Sequence, residues 1–207
     1  MASKIKNLLI FDFDGVLADS FDIFLSLLRD GMNEIGLPLT QDQYRSFFIG
    51  NVHQSVKDYI NDERKYFLFM KFRNDNYDEY YFYKNNKVAL FPGAAEFLNK
   101  IGNRHILTIA SSGRQKNIID LLEKSGVREL FSMILATSDT TKENMIREIL
   151  NKFDSAGGCV MITDTIGDVK IAKEMGLKTI AVTWGFHPAK LLRSAKPDHL
   201  ANDFKIL

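Results

Sequence analysis

The chain has 207 residues, 45% of them hydrophobic and 26% charged, with a formal net charge of +1. These are ordinary globular proportions, and so balanced a charge argues against a nucleic-acid groove or an anionic membrane as partner. The one cysteine, Cys159, excludes an intrachain disulfide framework and fits a reducing cytosol.

In chain order, the first element is an apolar run, Leu8-Leu9-Ile10-Phe11, read as a strand over 7–12 and too short for a membrane span. It ends in Asp12-Phe13-Asp14-Gly15. From about Asp19 to Asn86 the patterns are helical, with no convincing strand. Phe21, Phe24, Leu25 and Leu28 fall on one helical face, and Phe69, Phe72, Tyr80 and Tyr83 mark a longer helix. Beyond Leu90-Phe91-Pro92-Gly93, short apolar runs alternate with amphipathic stretches. Strands are predicted over 105–110, 133–136, 159–163 and 179–183, and helices over 115–124, 142–152 and 167–175. This alternation predicts an α/β fold, a Rossmann-like parallel sheet core with an inserted all-helical cap domain. The core is expected over 1–17 and 89–207, the cap over 18–88.

Four places set polar groups just after an apolar run: Asp12-Phe13-Asp14-Gly15, Ser111-Ser112-Gly113, Lys142 at a helix start, and Thr163-Asp164-Thr165-Ile166-Gly167-Asp168. A parallel sheet brings the C-terminal ends of its strands to one edge, so all four are expected to converge. Two carboxylates at the end of a buried strand are costly, because burial disfavours the charged form and like charges repel. A bound cation offsets that cost, so the first motif argues for a metal site. Taken singly, each motif also has a plainer reading. Asp12 and Asp14 fit a solvated turn, Ser111 and Ser112 a helix cap, and Asp164 and Asp168 the first acids of a helix.

In this order and spacing, the four motifs resemble those of the haloacid dehalogenase superfamily, in its phosphatase branch with a helical cap after the first strand. Pro92-Gly93-Ala94-Ala95-Glu96-Phe97-Leu98 and Val182-Thr183-Trp184-Gly185 are similar to the phosphoglycolate phosphatase-like and β-phosphoglucomutase-like members. The resemblance implies a cytoplasmic, Mg²⁺-dependent phosphatase of small-molecule phosphate esters, monomer or homodimer, with no nucleic-acid or membrane partner. It implies Asp12 as the nucleophile and Asp14 as the acid/base. Ser111, Ser112 and Lys142 would hold the substrate phosphate. Asp12, Asp14 (through its backbone carbonyl), Asp164 and Asp168 would form the metal shell. With Asp14 protonated, three carboxylates then face one Mg²⁺ and one lysine. Without the metal, each like-charge contact at ~4 Å costs about 4 kcal/mol at an effective dielectric near 20.

Two positions depart from the family pattern. Thr163 stands where glycine is common; its Cβ is tolerable on a strand end, yet it could crowd the metal site. Glu143 follows Lys142 where proline is common, and either pairs with Lys142 or opens the helix. Lys116 and Lys170 are alternates to Lys142, and His187 reads as a loop histidine beside the site. In the cap, Arg45, Asn51, His53, Arg64, Lys71 and Arg73 are candidate substrate contacts. Two other functions share these motifs: a β-phosphoglucomutase-like phosphomutase, and a non-catalytic phosphate- or partner-binding module.

Overall fold

The computed structural model describes residues 7–83, 88–153 and 158–207. The expected core and cap ranges also include 1–6, 84–87 and 154–157, which lie outside the described residues. The chain divides into two compact units: one runs to Asp19 and resumes over Leu90–Leu207, the other is Ser20–Ala89.

The first unit is built on a six-stranded sheet. Its strands are β1 (Leu8–Phe11), β4 (Ile106–Ser111), β5 (Phe131–Ala136), β6 (Cys159–Thr163), β7 (Lys178–Val182) and β8 (His199–Ala201), in the order β5-β4-β1-β6-β7-β8. All neighbours pair in parallel. Two further strands, β2 (Ala18–Asp19) and β3 (Ala89–Leu90), make a separate two-stranded ribbon. The helices of this unit are α5 (Ala94–Gly102), α6 (Gln115–Lys124), α7 (Lys142–Lys152), α8 (Ile166–Glu174) and α9 (Ala189–Ser194). Because β1 is flanked by β4 and β6, the winding of the sheet reverses at β1. Reversal points of this kind form crevices at the C-terminal strand ends. Phe11, the last residue of β1, pairs with Ile109 on one side and Ile162 on the other, so the three strands end within two residues of one another.

Short strands buried on both faces need continuous apolar sequence rather than alternation. Leu8 and Ile10 are buried with Met145, Ile146 and Ile149 of α7 and with Met161 of β6 in one cluster. On the sheet's other side, Phe11 meets Phe97 and Phe131 edge-on.

Apart from Ala89 of β3, the regular elements of the second unit among the described residues are helical, chiefly α1 (Phe21–Glu34), α2 (Gln41–Ser46), α3 (Val52–Ile60) and α4 (Glu63–Phe82). Phe24, Leu25, Leu27, Leu28 and Met32 of α1 are buried, as are Phe69, Tyr77, Tyr80 and Tyr81 of α4. Tyr83 corrects the predicted stripe. It lies one residue past the end of α4 and is 81% exposed, because the buried face passes through Tyr77, Tyr80 and Tyr81 instead. No described helix is long and apolar enough to cross a membrane.

Ile146 is wholly buried in the cluster under β1. Ile146→Ala is expected to destabilise the protein by about 2–5 kcal/mol, as lost transfer energy adds to the cavity left behind. Urea unfolding measures it, and a loss below about 1 kcal/mol would contradict this packing.

Candidate active site

Asp12 is the first residue beyond β1. Its own Oδ1 accepts the N–H of Phe13 at 2.7 Å. The chain then curls so that the Phe13 carbonyl accepts the N–H groups of Leu17 and Ala18, at 2.9 and 3.0 Å. Gly15 sits at the turn with φ +76°, a conformation that side chains other than glycine rarely adopt.

Lys142 is the first residue of α7, behind a Thr141 cap whose side chain accepts the Asn144 N–H. A cation is disfavoured at a helix N-terminus, so its placement must be supported by other groups. Its Nζ lies 2.8 Å from Asp12 Oδ1 and 2.9 Å from Asp168 Oδ2, with side chains only 10–12% exposed. Glu143 does not join them; it lies in the first turn of α7 and pairs with Arg147 at 2.5 Å. Lys116 pairs with Asp120 on the surface, and Lys170 is exposed, so neither alternate takes the place of Lys142.

Asp164 follows β6 directly and is completely buried. Its Oδ2 accepts the Phe186 N–H at 2.6 Å, while its Oδ1 is buried with no hydrogen-bond partner. Two glycines make room for it. A Cβ on Gly15 would stand 2.0 Å from Asp164 Oδ2, and one on Gly185 would stand 2.3 Å away. The loop after β7 is therefore part of the site. Trp184 Nε1 donates to the Val16 carbonyl at 3.1 Å and ties that loop to the turn after β1.

His187 lies in the loop after β7, as expected, and is fully buried there. Its Nδ1 accepts the N–H of Ile166, the first residue of α8, at 3.0 Å. Its own N–H donates to the Asp164 carbonyl at 3.3 Å. Thr165 caps the same helix, its hydroxyl accepting the Asp168 N–H at 3.4 Å. Asp168 is thus a first-turn acid of α8 and a partner of Lys142 at once. Thr163, the position that departs from glycine, ends β6 beside this carboxylate. Its Oγ1 donates to Asp168 Oδ2 at 3.1 Å, turning the side chain toward that carboxylate.

Ser111 ends β4 and is buried, its Oγ accepting the Gly113 N–H at 3.1 Å. Asp14 lies on the same side: the Cβ position of Gly113 is 3.1 Å from Asp14 Oδ2 and 3.3 Å from Ser111 Oγ. Ser112 is exposed at the next position. The structure thus brings together Asp12, Lys142, Asp168 and Thr163 by direct bonds, with Asp164 beside Gly15 and Asp14 beside Ser111.

The electrostatics follow from burial. Asp12, Asp164 and Asp168 are all below 10% exposed, and one ammonium cannot balance three carboxylates. Burial is the largest influence on Asp168 and works against its charge, but the Lys142 ammonium and the hydrogen bonds from Asp12, Lys142 and Thr163 together outweigh it and hold that carboxyl below its ordinary value. Burial pushes Asp12 well up despite the opposing pull of Lys142, with Asp168 and Asp164 adding repulsion. Burial pushes Asp164 up to about 7, against the Phe186 N–H that favours its charge. Lys142 is held above its ordinary value, since Asp12 and Asp168 outweigh its own burial.

A divalent cation fits this place. Asp164 Oδ1 is an orphaned buried oxygen, and hard carboxylate oxygens suit Mg²⁺. No three His, Cys, Asp or Glu side chains cluster as metal ligands among the described residues. The side chains that could hold such an ion are the buried carboxylates of Asp12 and Asp164.

The family model for haloacid dehalogenase-like hydrolases matches residues 9–182. A phosphoglycolate phosphatase from Synechococcus elongatus is 28% identical over 197 residues, covering 93% of this chain and 91% of that protein. Another, from Aliivibrio fischeri, is 23% identical over 220 residues, covering 97% and 94%. The crystal structure of a predicted phosphatase from Clostridium acetobutylicum shares the fold, with a TM-score of 0.83 at 22% identity, covering 98% and 96% of the two chains.

Asp164 keeps its proton up to about 7 when folded, against an ordinary value of 3.8. Between those values the folded state binds the extra proton, so this contribution to stability is full below the lower value and is lost as pH rises through the higher one. The raised Asp12 acts with the same sign. In EDTA, urea midpoints are expected to fall between about pH 5 and about pH 7, and to fall less in Asp164→Asn. Identical slopes in the two proteins would contradict the shift.

Proposed function

This chain belongs to the haloacid dehalogenase-like hydrolase family, and from that premise we propose that it is a Mg²⁺-dependent phosphatase of small-molecule phosphomonoesters, working through an aspartyl-phosphate on Asp12. The observation that carries the reading is the Lys142 bridge from Asp12 to Asp168 beside the buried, half-satisfied Asp164. It supports a site that lacks positive charge until a cation arrives, and that can then receive an anionic phosphate.

In this reading the Asp12 carboxylate attacks phosphorus, and the bond from phosphorus to the ester oxygen breaks. Asp14 gives its proton to the departing alcohol. It then takes a proton from the water that attacks the phosphorus of the aspartyl-phosphate, releasing phosphate and restoring Asp12. Ser111 donates to a phosphoryl oxygen, with Ser112 at the rim. Lys142 neutralises the nucleophile and the charge that develops on the transferring group. Asp12, Asp164 and the Asp14 backbone carbonyl would hold Mg²⁺, with Asp168 supporting the shell. Bound there, the ion supplies positive charge against the phosphate oxygens.

The relatives named phosphoglycolate phosphatase support phosphoglycolate as the first substrate to try. The reading places the enzyme in the cytosol, as a monomer or homodimer acting on a dissolved metabolite. Cap helices would choose among substrates while the core performs the chemistry.

Hydrolysis of p-nitrophenyl phosphate and phosphoglycolate tests it. With Mg²⁺ the wild type is expected to turn over, and Asp12→Asn to lose about three orders of magnitude or more in kcat. EDTA is expected to abolish turnover. Full activity in Asp12→Asn would exclude the nucleophile, and equal rates in EDTA would exclude the metal.

A further inference from the structure

The geometry points to Thr163 as a positioning residue: its hydroxyl fixes Asp168, and through Asp168 it fixes the ammonium of Lys142 against the Asp12 carboxylate. The inference deepens the phosphatase reading and rests on it for the catalytic consequence, though not for the positioning itself.

Thr163 ends β6 and is wholly buried. Its Oγ1 has two neighbours, the Thr165 N–H at 3.3 Å and Asp168 Oδ2 at 3.1 Å. A hydroxyl has one proton to give and accepts through its lone pairs. The Thr165 N–H is itself a donor, so the Thr163 proton must point at Asp168. Its direction is therefore set by the backbone rather than free to rotate.

Asp168 Oδ2 is also the oxygen that receives Lys142 Nζ at 2.9 Å, and Lys142 reaches Asp12 Oδ1 at 2.8 Å. The bonds run in one line from Thr163 to Asp168, from Lys142 to that same oxygen, and from Lys142 to Asp12. With two donors on Oδ2, Asp168 cannot turn without giving up both. A lysine on a flexible four-carbon stem is thereby held in one geometry. Ordering it beforehand spares that cost during the reaction. Thr163 touches no reacting atom in this scheme. Removing its hydroxyl should weaken the stabilisation of charge developing on phosphorus more than it weakens ground-state binding.

A plainer role is a turn that merely starts α8, through the Thr165 N–H. Three variants of the full chain separate the two roles: Thr163→Val keeps the shape without the donor, Thr163→Ser keeps the donor, and Thr163→Ala removes it with less bulk. The first readout needs neither metal nor activity: the side-chain ammonium spectrum of ¹⁵N-lysine-labelled protein in EDTA, with Lys142→Met identifying the Lys142 signal. Wild type and Thr163→Ser are expected to show that signal at the same shift, while Thr163→Val moves or broadens it beyond detection. The second readout is kinetic, on p-nitrophenyl phosphate with saturating Mg²⁺. Thr163→Val is expected to lose about tenfold in kcat with KM within about twofold, and Thr163→Ser to recover to within about twofold of wild type. Thr163→Ala carries both readouts if the valine variant does not fold.

Three results would each overturn the inference: no Lys142 signal in the wild type, an unchanged signal in Thr163→Val, or a Thr163→Ser variant as impaired as Thr163→Val. A lower melting temperature in Thr163→Val with signal and kcat intact would leave Thr163 a structural turn and also overturn it. If the wild type hydrolyses no ester, the phosphatase reading fails by itself, and the ammonium spectrum still decides the positioning.

Discussion

One ammonium among three buried carboxylates is the constraint on which the rest of the site depends. Lys142 joins Asp12 to Asp168, while Asp164, fully buried, takes only a backbone N–H on one oxygen. Buried charges persist when paired and hydrogen-bonded. Here the pairing is incomplete, and burial, with added repulsion from the neighbouring carboxylates, raises the pKa values of Asp12 and Asp164. Such perturbation at the mouth of a parallel sheet's strand ends is what a site for a cation and an anionic substrate requires.

The fold serves that constraint in a traceable way. The winding reverses at β1, so the ends of β4, β1 and β6 stand side by side. Each strand delivers its polar residue at its last position or one step beyond: Ser111, Asp12, and Thr163 with Asp164. α7 supplies Lys142 from its first turn and α8 supplies Asp168 from its own. The loop after β7 closes the arrangement with the Phe186 N–H, Gly185 and His187, none of which carries charge to the site in the roles observed. Neutral groups there orient acids without adding to the repulsion.

Much of this was legible in the chain. The apolar runs of β1, β4 and β6 stand out because a strand buried on both faces must be continuously hydrophobic. The chemistry-bearing residues stand out because they interrupt those runs abruptly. What stayed hidden had weak or non-local signals. β8 is three residues beside Pro197, and the β2–β3 ribbon is two residues a side, too short for any period to register. Tyr83 shared a helical spacing with buried aromatics but fell past the helix end, where spacing no longer implies a face. Gly185 and His187 act across more than twenty positions of sequence, on Asp164 and Ile166, and no local pattern reports such a contact. Thr163 differs in kind. Its departure from glycine was visible, but only the position of Asp168 shows which way the hydroxyl turns.

The central claim is that a divalent cation completes the charge of this acidic site. Isothermal titration of Mg²⁺ near pH 6.5, in buffers of differing ionisation enthalpy, tests it directly. The account predicts saturable binding that releases protons as Asp164 and Asp12 ionise, with a smaller release in Asp164→Asn. Absence of binding at millimolar Mg²⁺, or binding without any proton release, would contradict it.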